Sequence, residues 1–434
     1  MAPSKRLLYL ALLWLASGLF ASLWPDFMLA WIGIGGLIAV GGVADAILLF
    51  YLARPTAERV VPGRFALGVE GEVAVTLHNP GKYPMFIDLF DGIPDACETE
   101  GLPWTGKLPA RGYTRVTYPA KMTSRGMMRF TPAHIRVPSP FGLWLRRFRC
   151  GEMSFVRAYP NYEPVIRFAL LAMDHREEQM GILQRQRAGV SREFHQLRDY
   201  QEGDSIAQVD WKATSRHRSL ISREYREQRN QSVVALVDCG RRMRAMDGDL
   251  AQFDHCLNAL LLLSYIALRQ GDHVGVMSFG GPQRWLPPVK GQHSMTTLLN
   301  HLYDYQTTNE PSDFSEAAQN LMVRQKRRAL VLVMTNLRSE DASDLLPSLR
   351  LISRRHVVVL ASLRERSLDQ VARTPIGSLD DALACAGAHL YFEERRAVLE
   401  QIRASGALTI DAPAQSFPIE LANRYLEIKR AGRL

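Results

Sequence analysis

Two uninterrupted apolar stretches open the chain, Leu7 to Trp24 and Phe27 to Ala53, with only Pro25 and Asp26 between them. At ~1.5 Å of rise per residue, each is long enough to cross ~30 Å of hydrocarbon. The pattern predicts a transmembrane helical hairpin over residues 1–54, with spans of about 7–24 and 27–52. A hairpin returns the chain to the side it entered from, and that side carries Lys5, Arg6, Arg54, Arg59 and Arg64. Such a surplus of cations in short loops marks the cytoplasmic face, so the expected protein is multi-pass in the inner (cytoplasmic) membrane with both termini cytoplasmic. A cleaved signal peptide also begins with cations and an apolar run. Here, however, no clear small-residue cleavage site precedes a polar region, and the second apolar run begins at once. Small residues four apart (Gly18 and Ser22, Gly35 and Ala39, Gly42 and Ala46) let the two helices approach closely. Asp45 is the one ionisable group deep in the second span, and a carboxylate there is costly unless paired. Lys5 or Arg6, at the same membrane face, is its expected partner.

The pattern then changes. From about Val60 to Tyr159 apolar and polar residues alternate in short runs, as in Glu72-Val73-Ala74-Val75-Thr76-Leu77, which ends at the turn signal Asn79-Pro80-Gly81. Further strands are expected at Met85 to Phe90, Tyr113 to Tyr118, Met128 to Val137 and Ser154 to Ala158. Their spacing predicts a small antiparallel β-sandwich over residues 60–160, a spacer or docking surface without a catalytic constellation. From Val233 onward apolar strand-like runs (Val233 to Val237, His273 to Phe279, Ala329 to Met334, His356 to Ala361 and Ala407 to Ile410) alternate with helix-like segments (Asp249 to Arg269, Asp313 to Gln325 and Asp341 to Ser353). That alternation predicts a mainly parallel sheet covered on both faces, forming an α/β domain over residues 231–434. Ligands of such sheets gather at the carboxyl ends of strands, which directs attention to Asp238-Cys239-Gly240. The expected architecture is therefore multi-domain: membrane hairpin, sandwich, a connecting segment over 161–230 and the α/β domain.

Composition agrees with folded material, 47% apolar and 22% charged over 434 residues. The net charge of +9 comes from short dispersed clusters such as Arg146, Arg147 and Arg149, in no nucleic-acid-binding motif. Attraction to anionic headgroups explains a basic membrane-proximal protein more simply, so the expected partner is the lipid bilayer and not nucleic acid. Cys97, Cys150, Cys239, Cys256 and Cys385 are scattered without a C-x-x-C pair, giving neither a disulfide framework nor a zinc site.

The segment between sandwich and sheet reads Leu197-Arg198-Asp199-Tyr200-Gln201-Glu202-Gly203-Asp204, then Val209-Asp210-Trp211-Lys212-Ala213-Thr214-Ser215-Arg216, then Arg223-Glu224-Tyr225. It resembles the family known as domain of unknown function 58, whose signature runs through an aromatic, Gly-Asp, Asp-Trp-Lys, Ser-Arg and Arg-Glu in that order. Ser139-Pro140-Phe141-Gly142-Leu143 is similar to the Asp-Pro-Phe-Gly-Leu that ends the family's strand-rich module. Ala207 departs from the pattern, standing where the family carries an arginine. The opposed charges around Tyr200, Trp211 and Tyr225 suit a buried structural network. Asp204, Asp210 and Lys212 also offer an acid and base set for a membrane-associated hydrolase. No nucleophile with a paired base accompanies them, and Trp211 reads as a core or interface anchor.

The resemblance implies a von Willebrand factor A-like (Rossmann-like) domain. In that fold a divalent cation sits on a first-strand Asp-x-Ser-x-Ser, a later threonine and a distal aspartate. The matching positions here are Asp238, Gly240 and Arg242, then Thr307 or Thr308, then Asn336. Both serines and the distal carboxylate are missing, so the site reads as degenerate, with only a weak expectation of Mg2+ at Asp238 and no other cofactor. Asp238 otherwise caps the turn after its strand. The rim of Asp238, Arg241, Arg242, Thr308 and Asn336 is then a docking surface. The resemblance further implies a MoxR-type AAA+ ATPase partner and a client protein of the cell envelope. The chain itself lacks G-x-x-x-x-G-K-[ST], so the expectation is a non-catalytic adaptor.

Overall fold

The computed structural model describes residues 1–163, 165, 167, 192–200, 209–217, 219–227 and 230–433. They form two compact units, Met1–Tyr159 and Pro160–Leu434.

In the first unit, helix α1 (Lys5–Leu23) is capped by Ser4, whose hydroxyl accepts the Leu7 N–H at 3.4 Å. A short turn at Pro25–Phe27 leads to α2 (Met28–Phe50). Leucines such as Leu12, Leu15, Leu29 and Leu37 face outward. Two helices this long and this apolar on their outer faces have the length and composition to cross a membrane. The close approach expected from small residues occurs at Gly18 and Gly35, which lie against the indoles of Trp31 and Trp14. The two rings stack with centroids 4.5 Å apart. Each indole N–H donates to the other tryptophan's backbone carbonyl, at 3.1 and 2.9 Å, so both polar edges are satisfied inside an apolar pair.

After the helices, two sheets, antiparallel except where Ser154–Tyr159 runs parallel to Arg64–Ala66, share one core. One orders Thr56–Val60, Glu70–His78, Tyr113–Met122 and Cys97–Thr99. The other is organised on β1 (Gly126–Pro138), which pairs with Met85–Gly92, with β2 (Trp144–Cys150) and with Ser154–Tyr159. Inward residues of both, among them Val75, Leu77, Val116, Leu89, Phe130 and Ile135, make the core. A buried ion pair ties sheet to sheet: the Arg59 guanidinium donates to both Asp91 oxygens, and the Tyr118 hydroxyl donates to Asp91 Oδ2 at 2.5 Å. All five expected strands are present, generally longer than read. The strands Trp104–Leu108 and β2 were not anticipated, the first being short and the second lacking clean alternation.

The second unit begins, among the described residues, with an antiparallel pair, Arg192–Asp199 with Ile221–Glu227, and the short helix Trp211–His217. Its body is a six-stranded sheet. The central strand is β3 (Ser232–Asp238), flanked in parallel by β4 (His273–Phe279) and by β6 (Leu330–Thr335). An antiparallel edge strand, β5 (Trp285–Lys290), lies outside β4, while β7 (Val357–Arg364) and β8 (Leu408–Pro413) extend the other side in parallel. Alternate residues of β3 enter two cores. Val233, Ala235 and Val237 meet α3 (Gln252–Arg269) and α7 (Phe417–Arg430) through Leu257, Leu260, Phe417 and Leu421. Val234 and Leu236 meet α4 (Phe314–Arg324), α5 (Ala342–Ser353) and α6 (Leu379–Ala404). A strand buried on both faces is continuously apolar, which is why these runs were legible. The edge strand β5 was not, because Pro287 and Pro288 mask it, and α3 begins at Gln252 rather than at Asp249.

Asp45 does not pair with Lys5 or Arg6. It is fully buried within the first unit and accepts hydrogen bonds from the Ser139 hydroxyl and from the backbone N–H groups of Phe141 (3.0 Å) and Leu143 (3.1 Å). Neutral donors from a turn nearly a hundred residues away satisfy the carboxylate, and nothing in the local sequence announces them.

Candidate functional site

The carboxyl end of β3 delivers Asp238 into a fully buried position. Its Oδ1 accepts the Gly240 N–H at 2.8 Å and the Ser312 hydroxyl at 2.5 Å, and its Oδ2 accepts the Thr335 hydroxyl at 2.6 Å. Arg242 Nε lies 3.8 Å from Oδ2. Burial pushes the Asp238 carboxyl above the usual carboxylate range, against the opposing pull of Ser312, Thr335, Gly240 and Arg242. The expected turn-capping role is thus present, with two hydroxyl donors added to it.

Gly240 explains how Ser312 gets there. A Cβ at position 240 would stand 2.2 Å from Ser312 Oγ and 3.1 Å from Asp238 Oδ1. A hydroxyl from the loop before α4 therefore takes the space that a side chain on the β3 loop would fill. Arg242 turns both terminal nitrogens onto Asp341, with Nη2 to Oδ1 at 2.7 Å, and its guanidinium carbon lies 5.5 Å from the Phe314 ring centroid. Bidentate pairing of this kind fixes the guanidinium in place.

Thr308 and Asn336 do not join Asp238. The Thr308 hydroxyl donates to Gly280 O at 2.6 Å, and its N–H to Cys239 O at 2.7 Å, so it ties together the loops after β3 and β4. The Asn336 side-chain amide donates to Glu365 Oε1 at 2.7 Å and belongs to a second network centred on Arg395 of α6. Arg395, itself buried, donates to Asp411 Oδ1 (2.7 Å), Ser362 Oγ (2.7 Å), Leu363 O (2.8 Å) and Leu337 O, which joins the ends of β6, β7 and β8. Ser312, Thr335, Asp341, Arg395 and Asp411 were not read from the sequence. Thr335, at the end of an apolar strand beside Asn336, carried the nearest thing to a signal.

A hard divalent cation takes six or more oxygen ligands, carboxylates preferred. Here one carboxylate is available, both its oxygens already accept hydrogen bonds, and a guanidinium stands beside it. The donor set does not fit such an ion. Among the described residues no group of three or more His, Cys, Asp or Glu side chains is placed to hold a metal.

The signature residues divide. Asp210 caps the helix Trp211–His217, its Oδ1 accepting the N–H groups of Lys212 and Ala213, both at 3.0 Å. Trp211 is 63% exposed, so it is not a core anchor. Lys212 and Arg216 are exposed as well. Arg223 and Glu224 lie in the strand Ile221–Glu227 opposite Leu197 and Gln196, Asp199 stands opposite Ile221, and the Tyr200 N–H donates to Leu220 O at 2.8 Å. Gly203, Asp204 and Ala207 lie outside the described residues.

Residues 196–382 match the family described as "Protein of unknown function DUF58". The chain is 23% identical over 325 residues to the uncharacterized protein YeaD of Bacillus subtilis (strain 168), covering 70% of this chain and 75% of that protein. Among solved structures it is similar to the CARDB domain of the PF1109 protein from Pyrococcus furiosus, with TM-score 0.18, 16% identity, and coverage of 25% of this chain and 90% of that one. It is also similar to proximal thread matrix protein 1 from the mussel byssus, with TM-score 0.28, 11% identity, and coverage of 45% and 46%. At these TM-scores the structural likenesses carry no argument.

Proposed function

We propose that this protein is a membrane-anchored, non-catalytic adaptor. In this reading α1 and α2 hold it in the inner membrane with both termini cytoplasmic, and the α/β unit is a von Willebrand factor A-like domain with a degenerate metal site. Its strand-end rim recruits a MoxR-type AAA+ ATPase that acts on a client of the cell envelope. The observation that carries the reading is the closure of Asp238, whose oxygens are taken up by Gly240, Ser312 and Thr335 while Arg242 is locked on Asp341. Both oxygens of that carboxylate already accept hydrogen bonds and a guanidinium stands beside it, which disfavours a metal there, and the fixed charges around it suit recognition better than turnover. Sequence supports the same direction, since the chain has no phosphate-binding loop of its own.

The competing reading, a hydrolase working through Asp204, Asp210 and Lys212, loses weight because the Asp210 carboxylate is engaged in capping a helix. Exposed Arg241 offers a test on the rim that spares the buried pairs. Crosslinking in intact membranes followed by mass spectrometry is expected to capture an AAA+ ATPase with the native chain, and to capture several-fold less with Arg241→Glu. Recovery of no such ATPase, or hydrolytic turnover by the purified protein alone, overturns the proposal.

A further inference from the structure

The turn joining β1 to β2, Ser139-Pro140-Phe141-Gly142-Leu143, lies along α2. Contacts at three levels establish this. The Trp144 indole N–H donates to Gly42 O at 2.8 Å, Asp45 accepts the three donors of the turn, and Arg146 Nη1 donates to Leu49 O (3.3 Å) and Phe50 O (3.1 Å). Residues 42, 45 and 49 fall on one helical face, so β2 climbs α2 toward its carboxyl end. At ~1.5 Å per residue, Asp45 lies ~7 Å and Gly42 ~12 Å back from Phe50. The same turn is tied to the start of α1, because Leu143 O accepts the Ser4 N–H at 2.8 Å and Gly142 O accepts the Ser4 hydroxyl at 2.6 Å. Gly142 has φ 75°, a conformation that glycine adopts without strain.

The Ser139 hydroxyl and the N–H groups of Phe141 and Leu143 are turned inward onto Asp45, and the Arg6 side chain lies beside Gly142. Asp45 and Ser139 are buried, whereas the Phe141 phenyl is 66% exposed. Helix α2 has 23 residues, ~34 Å, only slightly more than the ~30 Å of hydrocarbon it would cross. A turn bonded at the level of Asp45 then sits below the surface of the apolar layer, where an exposed phenyl meets acyl chains and not water. The outward side chains of α2, Leu37, Val40, Val43 and Ile47, lead up to the same level.

We propose that the β1–β2 turn is a lipid-contacting wedge. The sandwich dips Phe141 into the acyl chains of the bilayer that α1 and α2 span, with Trp144 at the interface and Asp45 serving as the internal acceptor that lets a polar turn enter apolar surroundings. This rests on the membrane-anchored reading above.

The full chain in phosphatidylcholine and phosphatidylglycerol vesicles tests it. With Cys385→Ser removing the half-buried thiol, Phe141→Cys carries an environment-sensitive fluorophore, and nitroxide-bearing lipids report contact. Two further labels are controls: Leu37→Cys on the outer face of α2, 76% exposed, and Tyr83→Cys on a sandwich loop, 73% exposed. The expected result is several-fold stronger quenching by acyl-chain nitroxide at 141 than at 83, with 37 quenched as well. Quenching at 37 but not at 141 overturns the wedge and leaves the anchor standing. Absence of quenching at 37 overturns both. Hydroxyl-radical footprinting of the unsubstituted chain gives a second readout: Phe141 should be several-fold more protected in vesicles than Tyr83, and equal oxidation of the two rejects the wedge.

Discussion

Glycine at position 240 lets Ser312 reach Asp238, and the consequence is measurable at single side chains. Asp238 is pushed up by burial, so its folded-state pKa lies above the unfolded value of ~3.9. The sign follows from linkage: a raised carboxylate contributes stability that is complete below ~3.9 and is lost as the pH climbs through the folded-state value. Burial of Asp238 is therefore a cost above that pH range, and its hydrogen-bond donors offset it. Ser312→Ala removes one of them and is expected to cost about 1–3 kcal/mol at pH 7 and less in acid, read by urea unfolding at the two pH values. Gly240→Ser should also destabilise, because its side chain takes the space of Ser312 Oγ. Combining it with Ser312→Gly should recover part of the loss, and an additive double variant would show that the two positions do not share that space.

At the scale of elements, α1 and α2 are joined by their stacked tryptophans with a glycine beneath each ring. A Cβ at Gly35 would stand 2.6 Å from the Trp14 indole, so Gly35→Leu is expected to separate the rings and abolish the exciton couplet of the stacked pair in far-ultraviolet circular dichroism. Persistence of the couplet would mean that the helices can shift to accommodate the side chain. The hairpin and the parallel strands were legible because their signals are local: a long apolar run, or an apolar run bounded by helical periodicity. Elements without such a signal were missed. The first half of α6 exposes Leu379, Leu383 and Leu390 and shows no simple buried stripe, and β5 carries two prolines. The same limit governs the site. Asp238 stands at a strand end and could be found, whereas Ser312, Asp341, Arg395 and Asp411 reach the rim only through the tertiary fold, as the donors to Asp45 do within the first unit.

For the whole molecule, the distribution of the cores decides what separates cleanly. Among the described residues, the buried side chains of the two cores around the β3 sheet lie between Val165 and Ile428, and those of the sandwich core between Phe65 and Ala158. A polypeptide of residues 160–434 therefore contains the whole of both α/β cores, and it is expected to be soluble and to unfold cooperatively. Residues 1–159 retain α1, α2 and the Asp45 contacts and are expected to sediment with membranes. Salt tells the two modes of membrane attachment apart. Held by basic patches alone, either fragment would be released as ionic strength rises and the Debye length falls from ~10 Å at 0.1 M to ~3 Å at 1 M. Held by apolar helices, residues 1–159 stay in the pellet at 1 M salt and enter solution only with detergent. Release of residues 1–159 by salt would take the anchor away from α1 and α2. Retention of residues 160–434 on salt-washed membranes would place a second apolar attachment beyond Tyr159, and the division of labour proposed between anchor and recruiting unit would fail.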